Sequence, residues 1–109
     1  MQGTIWISFD LGIRGDYEGM YAWLDEHGAK ECGDGLAVLK YECEGDLVEG
    51  LSNEIKKSVH VDDRKTRIYV IWRDPDSQLM KGRFILGNRK SASWSGYGRG
   101  IEQATVDEG

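Results

Sequence analysis

A chain of 109 residues has room for one folded core and no second one. Its 39% hydrophobic and 30% charged residues suit a globular protein, and no run approaches the roughly 20 apolar residues of a membrane span. The formal net charge of −5 hides an asymmetry: residues 1–55 hold 12 acidic and 3 basic side chains, residues 56–100 hold 4 acidic and 11 basic. An acidic first half and a basic second half fit a basic surface for nucleic acid, self-association of opposite patches, or charges that interleave in three dimensions and solvate the surface.

Met1-Gln2-Gly3 leads straight into a strand pattern, which sets the expectation of a cytoplasmic protein without a signal peptide. Cys32 and Cys43 pair only if adjacent strands bring them together, and neither sits in a spacing that zinc sites use. A single proline, Pro75, against 15 glycines means that the turns here are made with glycine.

From Thr4 to Asp10, Ile5, Ile7 and Phe9 alternate with Trp6, Ser8 and Asp10, the period of a strand. Gly12 and Gly15 break it, Asp16 is placed to cap a helix, and Gly28 to stop one. Between them Tyr17, Met20, Tyr21 and Leu24 recur at helical spacing. Residues 29–33 form a short strand candidate, and Asp34-Gly35 is a strong hairpin signal before a second strand over 36–43. There Leu36, Val38 and Lys40 share one face, and Ala37, Leu39 and Tyr41 the other.

Asp46 opens a second helix over about 47–58, marked by Leu47, Leu51 and Ile55, with Lys56 and Lys57 in its last turn where the helix dipole favours cations. After a polar connection, residues 66–73 are β-branched and aromatic throughout, with Ile68, Val70 and Trp72 on one face and Tyr69 and Ile71 on the other. Asp74-Pro75-Asp76-Ser77 is a turn, and 81–86 a short fifth strand. The segment 87–100 is too aromatic for a linker and too rich in glycine for a helix, and 101–109 reads as a disordered tail. Residues 1–100 are therefore expected to form a single domain whose Gly/Ser-rich extension begins near residue 87.

A β-α-β-β-α-β order is that of the α+β ferredoxin-like sandwich, in which two helices cover one face of an antiparallel sheet. The other face is left open. Trp6, Tyr69, Ile71 and Phe84 would then be apolar side chains in need of cover, which a homodimer supplies.

The stretches I-S-F-D-L at 7–11, G-D-Y-E-G-M-Y-A-W-L at 15–24 and G-A at 28–29 resemble the opening of small ferredoxin-like CRISPR-associated adaptation nuclease-like proteins. They also resemble relatives in that superfamily, the virulence-associated VapD-type ribonuclease toxins and stand-alone homologues. The resemblance covers about residues 4–73 and centres on Phe9-Asp10-Leu11. It implies that Asp10 is a catalytic carboxylate and ligand for Mg²⁺ or another divalent cation in nucleic-acid cleavage, with two copies approaching across a dimer interface. It also implies that the fifth strand, here 81–86, extends the partner's sheet. Magnesium chemistry of this kind needs oxygen ligands and an activated water.

Read without the resemblance, Asp10 is a turn residue bonding backbone N–H groups ahead of Gly12. Ser8 shares its face. Arg14, Arg64, Lys65, Arg67, Arg83, Arg89 and Lys90 are the candidates for phosphate contact, with Trp94 and Tyr97 either stacking on bases or anchoring the tail. His27 is placed to meet the dipole at a helix end. Two functions follow: a nucleic-acid-processing or nucleic-acid-binding homodimer with RNA or DNA as partner, or a non-enzymatic module whose acidic half binds a basic protein.

Overall fold

The computed structural model describes residues 2–98, so the tail expectation for 101–109 lies outside the described residues. The fold is α+β, a five-stranded antiparallel sheet with two helices. The elements are β1 (Gln2–Asp10), α1 (Tyr17–Glu26), β2 (Lys30–Gly33), β3 (Leu36–Glu42), α2 (Leu47–Ser58), β4 (Arg67–Arg73) and β5 (Met80–Leu86). Strand order across the sheet is β2-β3-β1-β4-β5, and every pairing is antiparallel. This arrangement is compatible with the ferredoxin-like plan.

The alternation in β1 decides the layers. Ile5, Ile7 and Phe9 are buried, and their cross-strand partners Leu39 and Ala37 on β3 and Trp72, Val70 and Ile68 on β4 are buried beside them. Met20, Trp23 and Leu24 of α1 and Leu47, Leu51 and Ile55 of α2 close the same cluster, so both helices lie on this one face. Helix propensity alone would not hold segments of 10 and 12 residues in water; the packing of these apolar stripes does.

Both helices begin where an aspartate caps them. Asp16 accepts from the Gly19 amide at 2.9 Å, and Asp46 from the Val48 amide at 3.0 Å. Asp16 also accepts from the His60 amide at 2.8 Å, which ties the start of α1 to the connection between α2 and β4. Those two backbone hydrogen bonds hold its carboxyl below the ordinary value.

The fifth strand, which the resemblance implied would extend a partner's sheet, is described here in one chain alone. It pairs with β4 of its own chain from Met80 to Leu86 and extends its own sheet. A bulge lies in that pairing: Ile68 faces Leu86 while Tyr69 faces Phe84, so Ile85 is the extra residue. The bulge puts Phe84 on the open face and both Ile85 and Leu86 in the core. Cys32 and Cys43 form no disulfide. Among the described residues no helix is long and apolar enough to cross a membrane.

Candidate functional site on the open sheet face

The face opposite the helices is built from the alternate residues of each strand. Ser8 of β1, Tyr69 of β4 and Phe84 of β5 form one row; Trp6, Ile71 and Gly82 form the next. Tyr69 and Phe84 meet edge to face, with ring centroids 4.7 Å apart and planes at 75°. Gly82 makes this possible, because a Cβ there would collide with the Tyr69 ring, which lies across the neighbouring strand.

After β5 the chain turns back over this surface. Gly87, at φ +78° and close against the Thr66 carbonyl and Arg67, makes the reversal that few other residues would tolerate. The segment 89–94 then stands over the sheet and encloses a cleft of about 660 Å³. Ser8, Asp10, Arg67, Tyr69, Ile71 and Phe84 form its floor, and Arg89, Lys90 and Trp94 belong to its roof. The Arg89 guanidinium lies 5.7 Å from the Phe84 centroid and 6.0 Å from that of Tyr69, within cation–π reach of both.

Asp10 ends the floor. Its Oδ1 accepts from the Gly12 amide at 3.1 Å, the turn role open to it from sequence, and its Oδ2 lies 3.6 Å from the Arg67 guanidinium directly opposite on β4. Magnesium sites commonly use one or two carboxylates with several waters. The neighbours of this carboxylate are donors, and among the described residues no three His, Cys, Asp or Glu side chains gather to hold an ion. Asp10 is thus the one carboxylate that the described cleft lining contributes, and we assign no hydrolytic step to it.

The basic residues divide into three groups. Arg67, Arg89 and Lys90 line the cleft. Arg14 and the pair Arg64 and Lys65 flank the same end of the sheet on two turns, and Lys65 packs beside Gly12. The turn carrying the pair is closed by Asp62, which accepts from the Arg64 amide through its carboxylate and from the Thr66 amide through its carbonyl. Arg83 does not join them. It faces Val70 on the helix-covered side, where its Nε is buried with no hydrogen-bond partner.

Trp6, Tyr69, Ile71 and Phe84, the expected dimer surface, do share the open face, but the chain's own segment roofs the last three. Trp6 stays outside the cleft at 37% exposure. Trp94 and Tyr97 are 75% and 89% exposed, so neither anchors the segment in the core.

At the far end of the sheet lies a cluster that spacing did not reveal. Glu54 of α2 accepts from Tyr41 Oη at 2.5 Å and from Trp23 Nε1 at 3.2 Å, with His27 Nε2 2.7 Å away. His27 Nδ1 meets the Trp23 carbonyl at 2.8 Å, and its ring stacks on the indole at 4.2 Å. Burial pushes the Glu54 carboxyl up, but hydrogen bonds from Tyr41 and Trp23 and the nearby His27 ring outweigh it and hold the group below its ordinary value. Burial and the same carboxylate push the Tyr41 phenol up. The four side chains join β3, α1 and α2, a structural clasp.

The chain matches no protein-family model, no curated protein and no solved structure.

Proposed function

We propose that this is a ferredoxin-like nucleic-acid-binding protein of the cytoplasm that takes its ligand on the open sheet face. The observation that carries the reading is the cleft itself. It combines two aromatic rings on the sheet with three cations in its lining, Arg67 on the floor and Arg89 and Lys90 in the roof. Rings offer stacking to bases and cations offer charge to phosphates. Arg14, Arg64 and Lys65 extend the positive surface beyond the cleft. Of the 19 acidic residues, Glu18, Asp25 and Glu26 sit on α1, across the sheet, while Asp10 alone lines the cleft.

Binding rather than cleavage is the activity we assign, with Asp10 orienting Arg67 and closing the turn. The test is titration of a labelled oligonucleotide with the purified protein at low salt, with and without magnesium. Binding that weakens steeply with salt supports the reading, and absence of binding removes it. Loss of the oligonucleotide by cleavage that depends on magnesium and vanishes in Asp10→Asn would restore the nuclease.

A homodimer is the second reading, favoured by the exposure of Trp6 beside Ile71. Sedimentation at micromolar concentration decides it: a dimer dissolved by Trp6→Ser places a second copy on this face.

A further inference from the structure

The geometry points to single-stranded nucleic acid as the ligand, with one unpaired base held in the cleft between the Tyr69–Phe84 pair and the roof that carries Trp94. This rests on the nucleic-acid reading above and narrows it. In a duplex the base faces are stacked on one another and cannot reach a protein ring; only an unstacked base offers its face to an aromatic side chain. The rings here stand at the bottom of a cleft, beneath the segment 89–94, where a rod-shaped duplex cannot follow but a splayed base can.

Arg89 shows which surface such a base would use. Its planar guanidinium lies over both rings at 5.7 and 6.0 Å, the kind of position that a flat π-system takes on an aromatic face. A base stacked on these rings would have its phosphate beside the cations that line the cleft, Arg67, Arg89 and Lys90. The volume of about 660 Å³ lies within the range of about 300–1,000 Å³ found for small-molecule sites, enough for one base.

The strand has an exit. Ile71, on the floor, pairs directly with Trp6 of β1, whose indole is half exposed just outside. Trp6 and Tyr69 are diagonal neighbours on one sheet face, a relationship that sets Cα atoms about 7–8 Å apart. Successive bases of an extended strand can therefore use one ring each, Tyr69 within the cleft and Trp6 beside it.

The experiment compares a fluorescein-labelled 12-nucleotide DNA of mixed sequence, its RNA counterpart and the blunt duplex formed from the DNA, titrated with the full chain at 50 mM salt. A single strand is expected to bind at least about tenfold more tightly than the duplex and to quench tryptophan emission, with the quench reduced in Trp94→Phe. Tyr69→Leu should weaken single-strand binding by about 5- to 150-fold, the loss of one stacked base, and leave duplex binding unchanged. Phe84→Leu, checked like it by circular dichroism, is expected to give the same result and takes the place of Tyr69→Leu if that variant folds poorly. Equal affinity for strand and duplex, or Tyr69→Leu and Phe84→Leu variants that fold and bind a single strand normally, overturns the base slot and leaves the nucleic-acid reading standing. No binding of any of the three overturns both.

Discussion

The phenol of Tyr41 donates to Glu54 Oε2 across 2.5 Å, fastening the third strand to the second helix. A hydrogen bond to a charged acceptor contributes about 1.5–3 kcal/mol. Tyr41 is 5% exposed, so the ring of a phenylalanine would remain packed while the bond is lost. Tyr41→Phe is expected to lower stability by about 1.5–3 kcal/mol in urea denaturation with an unchanged m value.

The same carboxylate makes stability depend on acid. Glu54 is held below its ordinary value of 4.5 in the folded chain, so its contribution is fully present above that value and is lost as pH falls through the lower, folded one. Asp16 and Asp74 act in the same direction from an ordinary value of 3.8, the first through the His60 and Gly19 amides and the second chiefly through Ser77. The denaturation midpoint should therefore fall as pH drops below the ordinary carboxyl values of 4.5 and 3.8, and Glu54→Gln should flatten that slope while lowering stability at neutral pH. A variant with the slope of the parent would assign the acid sensitivity to the two aspartates.

Much of the layer structure was legible because it rests on local alternation. Ile5, Ile7 and Phe9 announce a buried face by spacing alone, and Asp16 and Asp46 announce helix starts by residue type. The cleft was not legible in the same way. A period of two through residues 81–86 sets Phe84 and Leu86 on one face, and the bulge at Ile85 separates them, a shift fixed by pairing with β4 and not by the strand's own pattern. Arg83 looked like its neighbours Arg67 and Arg89 in sequence, and register alone sends it to the other side. The Glu54 clasp draws on residues 23, 27, 41 and 54, a separation that no short motif spans. Gly82 was the available signal: a glycine inside a strand often marks the close approach of another group.

That glycine supports a prediction of its own. An added methyl group would meet the Tyr69 ring, and a rigid ring packed against Phe84 has little room to yield. Gly82→Ala should cost about 1–3 kcal/mol, the range for overpacking, and should shift Tyr69 off the floor of the cleft. Restoring space with Tyr69→Ala in the same chain should recover part of that loss. Additive losses in the double variant would show that Gly82 serves the strand and not the ring.

Salt dependence separates the cations by face. Each phosphate neutralised on a single strand lowers the logarithm of affinity by about 0.7 per decade of salt. Arg67, Arg89 and Lys90 together should therefore give a slope of about −2, with Arg14, Arg64 and Lys65 steepening it on longer oligonucleotides. Arg67→Gln, Arg89→Gln and Lys90→Gln should each make the slope shallower by about 0.7. Arg83→Gln should leave it unchanged, because that side chain lies under α2 on the covered face, and its buried Nε loses no hydrogen bond in the exchange. Fluorescence anisotropy between 50 and 300 mM salt measures all four. A slope that falls with Arg83→Gln and not with Arg67→Gln would move the phosphate path to the helix side of the sheet.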